Sequence, residues 1–378
     1  MKKIFILTSV HSPFDTRVFH KQAKSLDNYG YEVNLVAPHN KNEEKDNIKI
    51  IGVRKYNNRI LRFLITIFLV LRIALESDAD IFHIHDPELL LITPFLSLIK
   101  NKPIIYDVHE HYPNSIMSKN WIPGYLRKSI KYLFVLFENI LLNFVDGIIY
   151  TTPIVGERYV NKKDIQTRRI DNYPKLELLN YDLSNRSVNY NQLIYVGGIA
   201  KSRGIIQVIK AISLIKKNKN DIKLKLIGRI SNNKLEQQIN NLINELNLEN
   251  NIIKKDFMPY EQLGAELAES AIGIVTYLPY PNNLSCLPNK MFEYMATKTA
   301  VVASDFPLYR DIICSSDAGA LVNPEDSDDI ANKIIYLLKN NELIDEKSNN
   351  GYKAVKNKYN WDIEKQKLFD IYNNLLRQ

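Results

Sequence analysis

The chain has 378 residues, of which 45% are hydrophobic and 24% charged, and these values exclude a disordered or fibrous protein. This length is more than one hydrophobic core commonly serves, so two domains are expected. The formal net charge of +8 fits an anionic partner such as a nucleotide, an anionic lipid surface or nucleic acid, without choosing among them.

Targeting and redox signals are weak. The cysteines, Cys286 and Cys314, lack the paired spacing of a zinc site, and they fit a reducing compartment. The apolar run at the N-terminus is short and lacks a small-residue cleavage site, so it predicts a buried first strand. Residues 60–75 are shorter than the ~20 apolar residues that cross a bilayer, and they contain Arg62 and Arg72. A cytoplasmic protein is predicted.

Short β-branched runs alternate with helical patterns along the chain, which predicts βαβ units with parallel sheets that are buried on both faces. The predicted strands are residues 3–8, 32–37, 81–85, 103–108, 147–151, 192–196, 223–227, 272–276 and 299–303. A polar stretch at 173–191 separates the two series. The predicted fold class is therefore α/β, with two doubly wound, Rossmann-like domains.

The predicted domain boundaries follow from these two series of strands. An N-terminal domain is expected over residues 1–180 and a C-terminal domain over residues 181–358. Residues 359–378 carry apolar side chains at helical spacing, so they predict a helix that docks on the N-terminal domain.

The ends of the strands are the places to look for ligands, because open parallel sheets bind them beyond the carboxyl ends of their strands. The first predicted strand is followed by His11, Asp15 and Arg17, without the G-x-G-x-x-G fingerprint of a dinucleotide site. Two interpretations remain open for this loop. Either Asp15 caps a helix in a polar loop, or the loop binds an acceptor.

Histidines cluster at the ends of two further predicted strands. They are His83, His85, His109 and His111, four of the seven in the chain. A single histidine at a strand end is commonly structural, but this clustering favours a ligand-facing role for at least one. Histidine and carboxylates also bind metals. However, none of these pairs has the i, i+4 helical spacing of a zincin, and no metal is predicted.

Two glycines follow the first strand of the second series, in the segment GGIAKSRGI. Gly197 and Gly198 allow the backbone to approach a ligand closely. Lys201 and Arg203 come just before the next predicted helix, where they can reach phosphate oxygens. Arginine suits this role because its planar fork bonds phosphate through two N–H groups.

The segment LPNKMFEYMA places a carboxylate among apolar residues. Pro288 suits the first turn of a helix, so the amides near residues 286–290 would face the same edge as the two glycines, with Lys290 adding charge. Glu293 lies one turn further along. Its carboxylate can accept two hydrogen bonds side by side, as the vicinal diol of a ribose requires. The alternative is a solvated glutamate on the outer face of a helix.

Across nearly its whole length the sequence resembles the retaining family 4 glycosyltransferases of the GT-B fold. The segments that carry the resemblance are DTRVFHKQAKSLDNYGYEV, DIFHIHDPELL, YDVHEH, YVGGIAKSRGI, PNKMFEYMA and AVVASDFP, in that order. The motifs HDPELL and PNKMFEYMA are similar to those of bacterial enzymes of capsule, teichoic acid or O-antigen assembly. The resemblance implies two domains that face each other across a cleft, with a nucleotide-sugar donor on the C-terminal domain.

The resemblance also implies roles for individual residues. It makes His109 and Arg203 catalytic, and it implies a UDP-linked donor and a glycan or lipid-linked acceptor. Together with the strand-end analysis it gives the donor-binding set Gly197, Gly198, Arg203, Gly228, Arg229, Phe257, Met258, Ser285, Leu287, Asn289, Lys290 and Glu293. The acceptor-binding set is His11, Asp15, Arg17 and His85.

Two positions depart from the family pattern. Gly198 stands where many members have an arginine, and Ser285 stands where many have a second glutamate. The first change leaves Arg203, helped by Lys201 or Lys290, to neutralise the diphosphate. The second removes a carboxylate near the donor sugar and leaves the identity of that sugar open.

The resemblance implies a mechanism without metal or cofactor. The match to an Asp-x-Asp metal clamp, Asp78-Ala79-Asp80, precedes a strand and is expected at the opposite sheet edge. Two rival functions remain open: a sugar-nucleotide epimerase of the same fold, and a catalytically idle subunit that binds nucleotide-sugar. A role in binding nucleic acid is disfavoured, because the aromatic residues are not interleaved with the basic clusters.

Two apolar helical segments carry basic residues, at 60–75 and 125–144. One interpretation makes them buried helices of the α/β domain with a charged rim. The other makes them, with Lys2, Lys3, Arg54 and Lys55, a peripheral surface that lies on an anionic membrane leaflet and meets a lipid-linked acceptor.

Overall fold

The computed structural model describes residues 1–54, 56, 58, 61–119, 121–179 and 181–377, except for the side chains of Arg62 and Glu261. Lys55 and Ile60, which belong to the predicted basic and apolar segments, lie outside the described residues. The chain forms two compact units. The first contains Met1–Asn172 and Asp362–Gln378, and the second contains Tyr173–Trp361.

The first unit is built on a sheet in the strand order β3-β4-β2-β1-β5-β6-β7-β8. Strand β3 pairs antiparallel with β4, and the other neighbouring strands pair in parallel. The strands are β1 (Lys3–Leu7), β2 (Glu32–Pro38), β3 (Glu43–Lys45), β4 (Ile48–Val53), β5 (Ile81–Ile84), β6 (Ile104–Val108), β7 (Gly147–Tyr150) and β8 (Gln166–Arg169).

The second unit is built on a parallel sheet in the order β11-β10-β9-β12-β13-β14. The strands are β9 (Asn189–Val196), β10 (Lys223–Ile227), β11 (Ile252–Lys255), β12 (Ser270–Val275), β13 (Ala300–Ser304) and β14 (Gly319–Val322). Strand β9 lies inside this sheet. Strands β10 and β11 extend the sheet on one side of β9, and β12, β13 and β14 then extend it on the other side. The direction of winding therefore reverses between β9 and β12, which is where doubly wound sheets bind ligands. The same reversal in the first unit falls between β1 and β5.

Helical segments connect these strands. Those of the first unit are Thr16–Ala23, Lys24–Asn28, Arg62–Thr66, Ile67–Glu76, Pro87–Ile92, Thr93–Phe95, Leu96–Lys100, Tyr112–Ser118, Gly124–Leu141, Leu142–Phe144, Pro153–Gly156 and Trp361–Leu376. Those of the second unit are Leu176–Leu179, Leu183–Asn185, Lys201–Arg203, Ile205–Lys216, Asn233–Glu245, Tyr260–Ala268, Pro281–Leu284, Asn289–Ala296, Pro307–Ser316, Ser327–Leu338 and Asn341–Asn357. Within the described ranges, no helix has both the length and the apolar character that crossing a membrane requires.

The central strands agree with the sequence patterns to within a few residues, and the predicted parallel sheets are confirmed. The strands that the patterns missed are mostly edge or next-to-edge strands: β3, β4, β8, β11 and β14. An edge strand faces water along one side, so polar side chains are tolerated there, as in the sequences QTRR of β8 and IIKK of β11. Such segments lack the apolar run by which a buried strand is recognised.

The chain passes from the first unit to the second after Asn172, eight residues before the predicted boundary at 180. Tyr173 and Leu179 pack in an apolar core of the second unit, and this packing sets the point of change. The helix Trp361–Leu376 packs in the first unit, where Tyr372 is buried and its hydroxyl lies 2.7 Å from Nδ1 of His83. Leu375 of the same helix lies over Gly147 of β7.

Candidate functional site

The loops that follow β9 and β10 run side by side at the carboxyl edge of the second sheet. The amide of Gly197 donates to the carbonyl of Ile227 at 2.9 Å, and the amide of Ile199 donates to that of Arg229 at 2.9 Å. Gly228 has φ of 142°, and a Cβ there would lie 2.2 Å from the carbonyl oxygen of Gly197. Only glycine permits this approach. Gly197 and Gly198 are left exposed beside the switch point.

Arg203 is held above this glycine turn. Its Nη1 donates to the carbonyl of Gly198 at 2.9 Å, and its guanidinium carbon lies 5.3 Å from the ring centroid of Tyr277. The turn continues through Gly204, where φ is 75° and a Cβ would lie 1.9 Å from the carbonyl oxygen of Thr276. The close approach of two backbone segments therefore fixes the entry into the helix Ile205–Lys216.

Lys290 is buried in the same unit and points at the same turn. Its Nζ lies 3.6 Å from the ring centroid of Tyr195 and 5.3 Å from that of Tyr277. Burial and then the charge of Arg203 lower the pKa of Lys290 well below its usual value, while Glu293 opposes this shift. Among the described residues Nζ has no hydrogen-bond acceptor. A buried ammonium without an acceptor is costly, and an anion beside Lys290 and Arg203 would remove that cost.

Glu293 is buried on the helix Asn289–Ala296, so the alternative of a solvated glutamate is wrong. Burial, together with the charge of Glu293 and a hydrogen bond to it, raises the pKa of Tyr260 well above its usual value. The carboxylate is thus held in place by a neighbouring phenol. Pro288 precedes the helix as its N-terminal cap residue, one position before the first turn in which the sequence analysis placed it.

The remaining predicted donor contacts lie around this centre. Ser285 is buried, and its Oγ donates to the carbonyls of Pro281 at 3.0 Å and Asn282 at 3.2 Å. Arg229 and Phe257 are exposed, and the guanidinium carbon lies 5.5 Å from the Phe257 ring centroid. Met258, Leu287 and Asn289 are half-buried. Their contacts to a ligand stay predictions.

In the first unit, a buried polar cluster lies beneath the ends of the central strands. Asp107 accepts hydrogen bonds from Nη2 of Arg17 at 2.9 Å and 3.0 Å and from the side-chain amide of Gln22 at 2.5 Å. Burial acts to raise the pKa of Asp107, but Arg17 and the neighbouring His83 hold it well below its usual range. His85 is fully buried, and burial lowers its pKa well below the usual value. Arg17 and His85 therefore occupy buried structural positions, which weighs against direct acceptor contact.

Other predicted residues of the first unit lie nearer its surface. Asp15 caps the helix that begins at Thr16, accepting from the amides of Arg17 and Val18. Burial acts to raise its pKa, but hydrogen bonds from His11 and these amides lower it to about 2. The rings of His11 and His109 meet edge to face at 5.0 Å. Burial lowers the pKa of His109.

The structure thus gathers the main predicted donor residues in the second unit and the predicted acceptor residues in the first. Sequence reasoning missed Tyr195, Tyr260 and Tyr277, which enclose Lys290 and Glu293, and it missed Asp107. The available signal for Asp107 was a carboxylate inside the apolar run IIYDV. A charged side chain in a buried strand requires a partner.

Within the described residues, one group of side chains has the geometry to hold a metal ion: His83, His85 and Asp107, with ligand atoms within 4.8 Å of one another. The cluster suits a metal poorly. The Asp107 carboxylate already accepts from Arg17 and Gln22, and the adjacent guanidinium would repel a cation. A metal-free protein stays a prediction.

Comparison with known families separates the chain into the same two parts. Residues 16–172 match the family model described as Glycosyltransferase Family 4, and residues 183–354 match the one described as Glycosyl transferases group 1. The two matches cover most of the chain.

Curated relatives are distant but extend over much of the chain. One is the capsular polysaccharide biosynthesis glycosyltransferase CapM of Staphylococcus aureus, 23% identical over 77% of this chain and 76% of its own length. A phosphatidyl-myo-inositol mannosyltransferase of Mycolicibacterium smegmatis is 21% identical over 93% and 88%. A poly(ribitol-phosphate) alpha-N-acetylglucosaminyltransferase of Staphylococcus aureus is 25% identical over 66% of this chain and 48% of its own.

Solved structures show the same fold. Sucrose-phosphate synthase from Thermosynechococcus elongatus superposes with a TM-score of 0.79 and 18% identity, over 100% of both chains. Anabaena HepE in complex with UDP-glucose superposes with a TM-score of 0.73 and 14% identity, over 99% of this chain and 100% of its own. The predictions of family and of fold are confirmed, and the chain belongs to the family 4-like glycosyltransferases of the GT-B fold.

Proposed function

We propose that the protein is a retaining glycosyltransferase that moves a hexosyl or N-acetylhexosaminyl group from a UDP-sugar to a glycan or lipid-linked acceptor in the synthesis of a cell-surface polysaccharide. The observation that carries this proposal is the convergence of Arg203, Lys290 and Glu293 beside the glycine turn at the switch point of the second sheet. Two groups suited to binding phosphate, Arg203 and Lys290, thus lie near a group suited to binding a diol, Glu293.

The diphosphate would be held by the two cations. Arg203 offers a planar fork, and Lys290 offers a buried ammonium without a hydrogen-bond acceptor among the described residues. Negative charge grows on the leaving nucleoside diphosphate as the glycosidic bond breaks. Arg203, and Lys290 once it is protonated beside the bound diphosphate, would stabilise that charge from positions held by Tyr277 and Tyr195, so no metal is needed in this scheme.

The nucleoside would be held by Glu293 and the neighbouring loops. The carboxylate of Glu293 suits the two hydroxyls of a ribose, and Phe257 with Arg229 would flank the base.

His109 would act on the transferred sugar or the incoming acceptor. Its pKa is lowered by burial, so the ring is neutral near pH 7 and can both accept and donate a hydrogen bond. Retention would follow from front-face attack without an enzyme nucleophile. The acceptor class is supported by the capsule and poly(ribitol-phosphate) relatives, and UDP by the complex of HepE.

The test compares donors and variants. UDP-, GDP-, ADP- and dTDP-sugars are assayed by thermal shift and donor hydrolysis, and preference for UDP-sugars is expected. Arg203→Gln should lower both donor affinity and turnover, whereas Arg310→Gln, at an exposed ion pair with Asp305, should change neither. Binding without transfer or hydrolysis would make the chain an idle subunit. Turnover of nucleotide-sugar without an acceptor alcohol, yielding an epimer, would make it an epimerase.

Treatment with a chelator tests the proposal that the reaction needs no metal ion. Activity should be unchanged after treatment with EDTA, because the charge of the leaving diphosphate is met by protein cations. Loss of activity that a divalent ion restores would contradict it.

A further inference from the structure

The helix Gly124–Leu141 turns an apolar face outward. Glu138 is its buried residue, and the apolar side chains that are exposed recur every three or four positions, so they share one face: Leu126, Ile130, Leu133, Phe137 and Ile140. Phe137 is 57% exposed and Leu133 is 50% exposed. A helix packed on a sheet ordinarily buries such a stripe. The interpretation of this helix as buried in the core is therefore wrong.

The side of the helix that faces the protein combines apolar packing with a buried charge, because Phe134 and Leu141 pack against the core of the first unit beside Glu138. Glu138 is buried, and its carboxylate is bonded by the guanidinium of Arg158 and by the hydroxyl of Tyr159 at 2.9 Å. This charge network and the apolar packing together fix the rotation of the helix. The apolar stripe consequently faces away from the core, and its side chains are exposed in the part of the chain that the structure describes.

Neighbouring helical segments extend the apolar face. Leu98 and Ile99 are 76% and 63% exposed on Leu96–Lys100, and Phe68 is exposed on Ile67–Glu76. The segment Pro87–Ile92 packs against both Gly124–Leu141 and Ile67–Glu76, and Ile67–Glu76 packs against Leu96–Lys100, so these helical segments adjoin one another. We define the outer apolar surface as Phe68, Leu98, Ile99, Leu126, Ile130, Leu133, Phe137 and Ile140. An exposed apolar face of this extent marks an interaction site.

Apart from the buried Glu138, the charged side chains of the helix Gly124–Leu141 are basic, and the acid of the neighbouring helix, Glu76, is paired with Arg72. The helix Gly124–Leu141 carries Arg127, Lys128 and Lys131, and its carboxylate Glu138 is buried. Lys128 is exposed and Lys131 is half-buried, and within the described part of the chain neither forms an ion pair. Trp121 and Tyr125 are exposed at the start of the helix, with the Nζ of Lys119 6.0 Å from the Trp121 ring centroid. Amphipathic aromatics and lysines beside an apolar face are typical of helices in a membrane interface.

We propose that the outer apolar surface lies in the interfacial region of a membrane leaflet that contains anionic lipid. A second copy of this chain could also cover apolar side chains. However, a two-fold interface would bring the same cationic rim against itself, whereas anionic headgroups attract it. The proposal rests on the first unit alone and does not depend on the proposed transfer reaction.

The basic and apolar groups together predict how membrane binding should depend on salt. The lysines contribute attraction that salt screens, but the apolar stripe contributes burial that salt does not weaken. Binding should therefore fall as ionic strength rises, without disappearing. Purely electrostatic binding would be lost completely at high salt.

The test measures flotation of the full chain with two kinds of vesicle, one of phosphatidylcholine and phosphatidylglycerol and one of phosphatidylcholine alone. Binding to the anionic vesicles should be stronger by about tenfold or more, since each basic residue near such a surface contributes appreciably. The double variant Leu133→Gln/Phe137→Gln should bind these vesicles at least about tenfold more weakly, because it removes two of the apolar anchors. Tyr336→Gln, on the second unit and 61% exposed in the wild type, is the matched control and should bind normally.

A second variant keeps the test independent of folding defects. Lys128→Glu/Lys131→Glu should weaken binding to anionic vesicles while leaving the circular dichroism and melting temperature unchanged. Donor hydrolysis in solution should be normal in both double variants, which separates this proposal from the proposed function. Absence of vesicle binding at low salt would overturn the proposal. So would a stable dimer that the Leu133→Gln/Phe137→Gln variant dissociates, because a second copy would then cover the surface.

Discussion

Glu293 is a buried carboxylate on a helix whose neighbouring side chains are apolar. If it binds the ribose of the donor, Glu293→Ala removes hydrogen bonds to a charged group, each contributing ~1.5–3 kcal/mol. UDP affinity should then fall by ~10–100-fold, as measured by calorimetry. Glu325→Ala, at an exposed acid of the same unit, should leave affinity unchanged. An unaltered affinity in folded Glu293→Ala would show that the ribose lies elsewhere.

Lys290 is expected to take up a proton when UDP binds. Burial and Arg203 lower its pKa in the free protein, and a diphosphate beside it would raise that pKa because an anion favours the charged form. Between the lowered and the raised pKa, UDP binding must take up a proton, so affinity should fall as the pH rises through this window. Calorimetry in buffers of different ionisation enthalpy measures the uptake.

The matched variant for this prediction is Lys290→Met, which keeps an unbranched apolar stem but cannot bind a proton. Its UDP binding should be weaker and should take up fewer protons than that of the wild type. Equal proton uptake in both proteins would assign the proton to another group.

At the scale of elements, the helix Trp361–Leu376 is tied to the centre of the first sheet by one buried hydrogen bond. Burial raises the pKa of Tyr372 and lowers that of His83, and the phenol oxygen lies 2.7 Å from Nδ1 in a hydrogen bond between buried groups. Tyr372→Phe leaves that nitrogen buried without its hydrogen-bond partner, at a cost of ~1–3 kcal/mol. The free energy of unfolding should fall by this amount in urea titrations. Tyr336→Phe, at an exposed tyrosine, should have no effect.

Two helices with similar apolar spacing differ in whether their apolar face is buried. The stripe on Ile205–Lys216 packs in the core of the second unit, whereas the stripe on Gly124–Leu141 faces solvent. Both have apolar residues at spacings of three and four. The rotation of Gly124–Leu141 is fixed by the ion pair of Glu138 with Arg158 and by Phe134 and Leu141, which pack against the core of the first unit.

At the scale of the whole molecule, the second unit is continuous in sequence, but the first requires both ends of the chain. The fragment 173–361 should therefore fold alone and bind UDP within about threefold of the full chain, a difference below ~1 kcal/mol. A folded fragment that fails to bind would mean that the first unit supplies part of the donor site.

The converse fragment supplies a stability test. Residues 1–172 without the last helix expose the core surface that Leu375 and Tyr372 cover. This fragment should be less stable in urea than one in which residues 362–378 are joined to it by a flexible linker. Equal stabilities would show that the last helix contributes little to the first unit.

The sequence by itself determined the class of fold and the outline of the donor site. Apolar β-branched runs predict buried parallel strands because a strand buried on both faces cannot alternate with polar residues. The residues Gly197, Arg203, Lys290 and Glu293 could be proposed because they follow strands or begin helices, where parallel sheets present ligand groups. These signals are local in the chain.

Only the tertiary structure decided which groups are partnered and which faces are buried. Arg17 pairs with Asp107, and Tyr372 meets His83, each across a long separation in sequence. The same packing withdraws Lys290 from water between two tyrosines and leaves the apolar stripe of Gly124–Leu141 outside. Burial, ion pairing and helix rotation depend on all the neighbours that the fold brings together, and no single stretch of sequence contains them.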